Sequence, residues 1–348
     1  MLSFRTTGFN GYAVKYSPFF DSRIACAASS NFGLVGNGRL YILSLTPQGV
    51  VAEKWSPTRP PIPHLPLTPP CRFDTQDSLF DVAFSESNAN QLAAASGDGS
   101  IKLFDATLND FPIRQWREHT REVFSLSWNL VDKNIFASSS WDGNVKIWSP
   151  TAPESLRTIY IGSCTYSVAF QPSSPTVLSA VSSDGFMRVF DLRAPEPTAE
   201  VTKTRVSPGE VLTQDWNKYR SPVIATAGVD RGIKIWDLKM PRICQTELVG
   251  HGYAVRRIAW SPHWQDVVLS ASYDMSVRVW TDGSSGGTGT GLGGAGPGGG
   301  RLMGVMDQHT EFCAGVDWCI FGGEGWAAST GWDEKVWVWD VGRIIGSR

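Results

Sequence analysis

The chain has 348 residues, of which 42% are hydrophobic and 18% charged, so it can bury a sizeable core. Its 31 lysines and arginines against 33 acidic residues give a net charge of −2, which excludes a broadly basic protein that binds nucleic acid or a membrane surface. No apolar run approaches the roughly 18 residues of a membrane span, and the first residues lack the apolar stretch of a signal peptide, so we expect a soluble protein that is neither secreted nor inserted in a membrane.

An aspartate recurs along the chain at nearly constant spacing. Successive copies are 44, 42, 46, 44 and 59 residues apart, and they stand at Asp98, Asp142, Asp184, Asp230, Asp274 and Asp333. An aromatic residue follows each aspartate by six positions, and another precedes it by 14 or 15. Segments such as Val145–Trp148 alternate with a period of two after an Asp-Gly turn, as half-buried strands do. Units of this length and pattern predict the four-stranded blades of a β-propeller.

In chain order, the segment Leu2 to Thr7 comes before a diverged first copy, which runs from Tyr16 through Asn37 to Leu43. Six regular copies follow, and the last ends near Trp339 with no fourth strand after it. Because an open ring would expose an edge strand, we expect Leu2 to Thr7 to supply the missing strand. The predicted fold is therefore all-β, a seven-bladed β-propeller closed by an N-terminal strand, with residues 1–348 forming one domain.

Two insertions account for the long steps between copies. Residues 56–70 hold seven prolines, each of which removes a donor from a sheet, and residues 283–300 hold 11 of the 35 glycines. We expect both to be excursions between strands and not domain boundaries. The proline spacing also suits a polyproline helix for an aromatic groove, although a passive linker is the interpretation that we favour.

The repeats resemble the WD-repeat family. The signature dipeptide of that family stands at Phe104-Asp105, Phe190-Asp191, Trp236-Asp237 and Trp339-Asp340. Its Gly-His position is held by a histidine nine residues before the first-strand tryptophan, at His119, His251 and His309. The resemblance implies that this histidine, the turn aspartate and a strand tryptophan form a hydrogen-bonded tie within a blade. The Asp–His pairs are then structural and not catalytic.

One end of a propeller, which we call the rim, is lined by the loops before each first strand and by the loops that carry the turn aspartate. Along the chain these loops supply Asp77, Asp81, Glu122, Tyr166, Glu210, Tyr253 and Glu311. The residues directly before three of the turn aspartates are Trp141, Tyr273 and Trp332. An acidic and aromatic rim favours a receptor for a cationic, partly apolar peptide.

The sequence offers little to support catalysis. No serine or cysteine nucleophile stands near a histidine in a recognisable motif, so we expect no catalytic residue, no bound metal and no cofactor. Two alternatives stay open at this point. The segment Phe190–Arg193 resembles the Trp-Asp-x-Arg element by which some WD-repeat proteins dock onto cullin ubiquitin ligases, which would make the chain a substrate adaptor. A propeller enzyme with its site in the central channel is the other.

Several segments carry a more particular resemblance, to the WD-repeat peroxins in their fungal form, which are receptors for the type 2 peroxisomal targeting signal. These segments are Gly11–Val14, Tyr16–Phe20, Asn31–Gly38, Gln76–Val82, Glu118–Ser125, Ser270–Asp274 and His309–Phe312. The resemblance implies an import receptor that binds cargo in the cytoplasm and delivers it to the peroxisome with a co-receptor and a peroxisomal docking complex. It also implies shuttling between the cytoplasm and the peroxisome, including the peroxisomal matrix.

The signal that such receptors bind is a nine-residue N-terminal helix: Arg or Lys, an aliphatic residue, five residues of any kind, His or Gln, then Leu or Ala. Its first and eighth positions lie about 10 Å apart on one helix face. Matched to the family pattern, Asp77 and Glu122 are the expected carboxylate partners, with Asp81 and Glu210 as helpers. Apolar contacts are expected from Trp141, Tyr166, Tyr273 and Trp332.

Overall fold

The repeat units fold as antiparallel sheets, in the order that their spacing predicts. The computed structural model describes residues 1–53, 72–108, 111–195, 198–285 and 299–346. In these ranges the strands form seven sheets, and the first strand of each sheet packs against the first strands of the sheets on either side. The predicted seven-bladed β-propeller is therefore confirmed.

The first three blades follow an N-terminal strand. That strand is β1 (Leu2–Arg5). Blade 1 consists of β2 (Asn10–Tyr16), β3 (Arg23–Ser29), β4 (Gly38–Thr46), β5 (Gly49–Ala52) and β6 (Arg72–Thr75). Blade 2 consists of β7 (Leu79–Phe84), β8 (Gln91–Ser96), β9 (Ser100–Asp105) and β10 (Arg114–Arg117). Blade 3 consists of β11 (Val123–Trp128), β12 (Phe136–Ser140), β13 (Asn144–Trp148) and β14 (Arg157–Tyr160).

The other four blades repeat this arrangement. Blade 4 consists of β15 (Thr165–Phe170), β16 (Val177–Ser182), β17 (Phe186–Asp191) and β18 (Glu200–Arg205). Blade 5 consists of β19 (Val211–Trp216), β20 (Val223–Gly228), β21 (Ile233–Asp237) and β22 (Cys244–Leu248). Blade 6 consists of β23 (Val255–Trp260), β24 (Val267–Ser272), β25 (Val277–Thr281) and β26 (Arg301–Met306). Blade 7 consists of β27 (Cys313–Trp318), β28 (Trp326–Gly331) and β29 (Lys335–Asp340), and a short helix α1 (Gly342–Ile345) follows it.

The N-terminal strand closes the ring, as the sequence predicts. Strand β1 pairs antiparallel with β29 from Leu2 opposite Val338 to Arg5 opposite Lys335, and it becomes the fourth strand of blade 7. Partly buried Leu2 and Phe4 pack against the core between blades 7 and 1. The two ends of the chain are thus held in one sheet, and β29 does not present a free edge.

The fourth strand of blade 1 is divided in two. Strand β4 pairs with β5 near its C-terminal end and with β6 near its N-terminal end, so both short strands lie along the same outer edge. The proline-rich insertion predicted at residues 56–70 lies outside the described residues, as do residues 286–298 of the predicted glycine-rich loop. Their role as excursions between strands stays a prediction.

The periodic aromatic residues form the core between blades. Those at the end of each first strand and in each third strand are buried: Phe84, Phe104, Trp128, Trp148, Phe170, Phe190, Trp216, Trp236, Trp260, Trp280, Trp318 and Trp339. Burial of a large apolar side chain contributes roughly 1.5–3 kcal/mol. Repetition of this contact around the ring explains why the aromatic period is so regular. Within the described residues no helix has the length and apolar character to cross a membrane.

Along the inner edge of the ring, side chains accept hydrogen bonds from backbone N–H groups of the first strands. The first strands have free backbone N–H groups on the side that faces the channel, and an unpaired buried donor is costly. In several blades a side chain of the preceding first strand accepts such a bond: the Leu126 N–H donates to Asp81 at 2.9 Å, and the Trp260 N–H donates to Asp215 at 2.7 Å. The Tyr16 N–H donates to Asp317 of blade 7 at 2.9 Å, which continues the pattern across the closure.

Candidate functional site

Every first strand has a β-bulge near its start, and this irregularity shapes the rim. In all seven blades the pairing of the first strand with the second skips one residue at the same place. A bulge re-aims the side chain of the extra residue. The bulged residues, one from each blade in order, are Tyr12, Phe80, Phe124, Tyr166, Leu212, Arg256 and Ala314. We call this set the bulge ring; it forms the floor of the rim at the end of the channel.

Most of the floor is aromatic. An arc of side chains, which we call the aromatic arc, runs through blades 6, 7, 1, 2, 3 and 4 with successive ring centroids 4.5 to 5.9 Å apart. Its members in order are Tyr273, Phe312, Trp332, Tyr12, Phe80, Phe124, Trp141 and Tyr166. Tyr253, which the sequence also predicted for the rim, lies outside the arc and is 65% exposed. The four aromatic residues from which the sequence predicted apolar contacts with the signal all belong to the arc. All four are partly exposed, whereas the arc members of the bulge ring in blades 1 to 3 are buried.

A loop in blade 1 adds exposed apolar surface that the sequence did not indicate. This apolar loop, residues 30–37, carries Phe32, Leu34 and Val35, whose side chains are 50%, 84% and 76% exposed. Its backbone enters the left-handed region at Asn31 and Phe32, at φ 49° and 56°. The Tyr12 hydroxyl donates to the Phe32 carbonyl at 2.5 Å, and the Phe32 ring lies 5.4 Å from that of Trp332. Apolar groups held at the surface in strained backbone are typical of a binding loop.

Asp77 lies just before β7 and is half-buried at the rim. Its Oδ1 accepts a bond from the Ser78 N–H at 2.7 Å, and within the described residues it has no ion pair. The turn of blade 2 has Gly97 where Trp141, Tyr273 and Trp332 stand in other blades. A Cβ atom at Gly97 would lie 2.9 Å from Asp77 Oδ1, so the glycine makes room for this carboxylate.

Glu122 lies just before β11, at the same end of the ring and on the neighbouring blade. Its side chain is 33% exposed, and its Oε2 is 3.6 Å from Nε of Arg121, itself 52% exposed. Arg121 also lies 5.4 Å above the Trp141 ring. An exposed ion pair of this kind contributes only about 0–1 kcal/mol, so a guest cation can exchange with Arg121.

Asp81 requires a correction. The sequence predicts it as a rim helper, but its side chain is completely buried in the channel. Its Oδ1 accepts from Arg257 of blade 6 at 2.8 Å and its Oδ2 from the Leu126 N–H at 2.9 Å. Asp81 follows the bulge and therefore faces inward, so a guest on the rim cannot reach it.

Glu210 stands before β19, two blades beyond Glu122. The Tyr166 hydroxyl donates to its Oε2 at 3.1 Å, which joins the end of the aromatic arc to this carboxylate. Burial, and after it the charge of Glu210, raises the pKa of Tyr166, so the hydroxyl remains a donor. Glu210 thus extends the acidic rim past blade 4.

The Asp–His pairs are structural, as predicted. The Nδ1 of His119 lies 2.8 Å from Asp142 Oδ2, its Nε2 lies 2.7 Å from the Ser138 hydroxyl, and the Trp148 indole donates to that hydroxyl at 2.8 Å. The same four-residue tie occurs at His251 and at His309. All three histidines are buried, so none is available for chemistry at the rim.

Where a blade lacks this histidine, a cation from the third strand holds the turn aspartate. Lys102 pairs with Asp98 at 3.4 Å and Arg188 with Asp184 at 2.5 Å. Burial opposes ionisation of Asp184, but the bonds from Arg188, Ser182 and the Phe186 N–H together outweigh it and bring the pKa of this carboxyl to about 2. These cations are tied to the turn aspartates of their own blades, and Lys102 also attracts the Asp77 carboxylate at longer range.

A second feature of the channel lies at the end opposite the rim. A cavity of about 480 Å³ lies at the far ends of the first strands. Lys15 of its lining lies 3.0 Å from Asp317, and Lys218 lies 2.7 Å from Asp215. Glu86 also lines it, and burial raises the pKa of this carboxyl. Across the described ranges there is no group of three or more His, Cys, Asp or Glu side chains suited to a metal ion.

Known proteins resemble this chain over nearly its whole length. A family model described as "WD domain, G-beta repeat" matches residues 69–105, 111–149, 154–191 and 242–281, and each match runs from the last strand of one blade through the third strand of the next. A "Peroxisomal targeting signal 2 receptor" of Saccharomyces cerevisiae is 39% identical over 98% of this chain and 99% of its own length. The protein of that name in Schizosaccharomyces pombe is 34% identical over 98% and 100%. "Peroxisome biogenesis protein 7" of Arabidopsis thaliana is 39% identical over 96% of each chain.

Proposed function

The chain belongs to the family of the peroxisomal targeting signal 2 receptors, and from that premise we propose that it is an import receptor whose rim binds the helical type 2 signal of peroxisomal matrix proteins. The observation that supports the rim assignment is a pair of partly exposed carboxylates, Asp77 and Glu122, at the starts of neighbouring first strands beside the aromatic arc. The protein acts by binding and not by catalysis.

The two carboxylates suit the first and eighth positions of the guest helix, where Arg or Lys and His or Gln are hydrogen-bond donors. The first and eighth positions lie about 10 Å apart on one face, and neighbouring blades present Asp77 and Glu122 at the same end of the ring. Each charge-assisted bond contributes roughly 1.5–3 kcal/mol. Since Asp77 has no ion pair among the described residues and Glu122 has only the exposed Arg121, both can accept a guest cation.

Apolar burial supplies the rest of the affinity. A micromolar complex needs about 8 kcal/mol, more than two charge-assisted bonds provide. The partly exposed members of the aromatic arc, Trp141, Tyr166, Tyr273 and Trp332, offer flat apolar surface for the aliphatic positions of the helix. The apolar loop extends that surface next to Trp332, and Glu210 adds negative charge beyond Tyr166. Asp81 has no part in this contact.

Delivery requires partners beyond the cargo. We propose that a co-receptor covers the outward side of the bound helix, in a helix-in-groove arrangement shared between two proteins. The loaded receptor then engages the peroxisomal docking complex. It shuttles between the cytoplasm and the peroxisome, including the matrix.

The experiment is a charge reversal at the rim. The double variant Asp77→Lys, Glu122→Lys removes two attractive contacts and adds two repulsive ones, so we expect at least a roughly 100-fold loss of affinity for an Arg-Leu-x5-His-Leu peptide. Isothermal titration with the receptor and its co-receptor measures the loss, and circular dichroism shows that the variant is folded.

A matched control separates the site from net charge. Glu154 and Glu324 are exposed acidic residues in loops away from the rim, so Glu154→Lys, Glu324→Lys changes the charge equally. We expect this control to bind the peptide within a factor of about two, because the added charges are distant and screened. Undiminished binding by the folded rim variant would refute the assignment of Asp77 and Glu122.

The ubiquitin-ligase alternative finds no support. Arg193 is 76% exposed, but its guanidinium is engaged by Asp191 at 2.5 Å, two residues away in the same turn. This bond lowers the pKa of Asp191 to about 2. The relatives described above are named as targeting-signal receptors and a peroxisome biogenesis protein, and none is named as a ligase adaptor.

A further inference from the structure

The bulge ring contains a single charged residue. Six of its members are aromatic or aliphatic, and the seventh is Arg256 of blade 6. The guanidinium carbon of Arg256 lies 5.7 Å from the ring centroid of Phe124 in blade 3. Blades 6 and 3 are three positions apart, the largest separation in a ring of seven, so the side chain crosses the end of the channel beneath the rim. Only 4% of its surface is exposed.

No group of the described residues neutralises this guanidinium. Its Nη2 is fully buried and has no hydrogen-bond acceptor, and no carboxylate lies within ion-pair distance. The Tyr273 hydroxyl and, after it, Asp81 attract Arg256 at longer range, but both oxygens of Asp81 are engaged, by Arg257 and by the Leu126 N–H. Burial lowers the pKa of Arg256, which reflects the cost of keeping this charge out of water. Two buried guanidinium groups thus share one carboxylate, which leaves one positive charge unmatched.

The neighbouring unpaired groups are also donors. The indole N–H groups of Trp141 and Trp332 are buried without an acceptor among the described residues. Trp141 stacks on Phe124 at 4.5 Å, and Trp332 packs against Tyr12 at 5.8 Å, so both belong to the same floor. Buried polar groups are normally paired, and a floor in which these three donors lack acceptors is suited to an acceptor from outside.

We propose that Arg256 is a carboxylate-binding subsite in the floor of the rim, filled by an aspartate or glutamate side chain of a polypeptide that docks there. This inference rests on the proposed function, because it takes the rim as the docking surface. A bidentate carboxylate matches the planar guanidinium and would bring the charge of the Asp81, Arg256 and Arg257 cluster to zero. The acidic residue comes either from the unspecified positions of the cargo helix or from the co-receptor beside it. The carboxylate of the incoming chain thus complements the cations that Asp77 and Glu122 hold.

The first test uses propionate as the probe and thermal unfolding as the readout. Propionate, compared with chloride at equal ionic strength, should raise the unfolding midpoint of the wild type and leave that of Arg256→Met unchanged. Without propionate, Arg256→Met should unfold at a higher temperature than the wild type, because methionine has similar length and no buried charge. Arg231→Met, which removes an exposed arginine from the rim, is the matched control and should retain the propionate effect.

A second test finds the source of the carboxylate. We compare the affinities of Arg-Leu-x5-His-Leu peptides that carry either glutamate or glutamine at one unspecified position, and we repeat the comparison for each of the five positions. The carboxylate belongs to the cargo if glutamate at one position gives a tenfold higher affinity than glutamine. This difference should be lost in Arg256→Met and partly kept in Arg256→Lys. A propionate effect that depends on Arg256 without any such preference assigns it to the co-receptor.

The proposal is overturned if propionate acts equally on the wild type and Arg256→Met, or on neither, and no peptide position prefers glutamate. A lower unfolding midpoint for Arg256→Met would then give Arg256 a purely structural role as a plug of the channel. Failure of the unmodified peptide to bind at all would instead contradict the proposed function, so the two failures can be told apart.

Discussion

Single aspartates fulfil three different roles in this protein, and their surroundings decide which. Asp142 closes a tie with a buried histidine, Asp81 is buried against an arginine from across the channel, and Asp77 faces solvent. The repeat spacing is sufficient to predict the tie with histidine, because the aspartate and the histidine of each tie occupy the same positions in every repeat that has one. It does not separate the other two, because Asp77 and Asp81 are four residues apart on either side of a bulge that the sequence does not reveal.

At Gly97, one added methyl group should weaken cargo binding. In Gly97→Ala the new Cβ would lie 2.9 Å from Asp77 Oδ1, so the carboxylate must move away from the Ser78 N–H and from its place at the rim. We expect a roughly three- to tenfold weaker peptide affinity by titration, with stability changed by less than about 1 kcal/mol. The control is Gly252→Ala, in which the new Cβ would lie at an ordinary contact distance of 3.7 Å from Asp274. We expect this variant to bind the peptide as the wild type does. Equal affinities for both variants would contradict the role given to Asp77.

The ties make stability depend on pH on the acid side. Burial lowers the pKa of His251 from 6.5, so the folded protein favours the neutral ring and loses stability as the pH falls below that value. Burial opposes ionisation of Asp142, yet His119 and the N–H groups of Thr120 and Asn144 together lower its pKa from 3.8 to about 2. The stability that this carboxylate contributes is therefore present above pH 3.8 and is lost as the pH falls to 2.

Urea unfolding at a series of pH values tests this. We expect the free energy of unfolding to fall below about pH 6.5 and again below about pH 4. His251→Gln should remove part of the first decrease, and Asp142→Asn part of the second. Asp142→Asn should also cost about 2 kcal/mol at neutral pH, since charge-assisted bonds become neutral ones. A stability that is constant or rises on acidification would contradict the assignment of the ties.

At the scale of elements, period and spacing were enough to predict the blades and the closing strand, but not the local irregularities that make the site. A strand pattern indicates which residues share a face. It does not show where a residue is skipped, and so it misses that Phe80, Phe124 and Arg256 turn to the rim floor. An alignment of the copies carries that signal, because these residues occupy one column. Strand β6 was missed because the insertion before it separates it from β5.

Removal of the closing strand should destabilise the ring and expose an edge. Deletion of residues 1–5 takes away the partner of β29 and the packing of Leu2 and Phe4. We expect a loss of roughly 2–5 kcal/mol in the free energy of unfolding and association through the uncovered edge of β29. Chemical denaturation and size-exclusion chromatography measure these effects. Arg5→Ala, at a residue whose side chain is 72% exposed, should change stability by less than about 0.5 kcal/mol. A truncated chain as stable and monomeric as the full one would show that β1 does not close the propeller.

At the scale of the whole molecule, the ring converts a sequence period into a fixed spacing of side chains. Each blade brings the start of its first strand to the same end, so residues 45 positions apart, Asp77 and Glu122, stand on neighbouring blades. The aromatic arc and the bulge ring fill the area around them. This geometry is kept rigid by the closing strand β1 and by the side chains that accept hydrogen bonds from the first strands. Rigidity limits the entropy that is lost when a short helix binds.

We expect Asp77 and Glu122 to contact the first and eighth positions of one guest helix. Double-mutant cycles measured by titration test it most directly, with Asp77→Asn or Glu122→Gln paired with peptides in which the first arginine or the eighth histidine is replaced by an uncharged residue. We expect each carboxylate to couple to a different position by about 1–2 kcal/mol, so that losing both partners costs little more than losing one. Additive losses in all four pairings would contradict the claim.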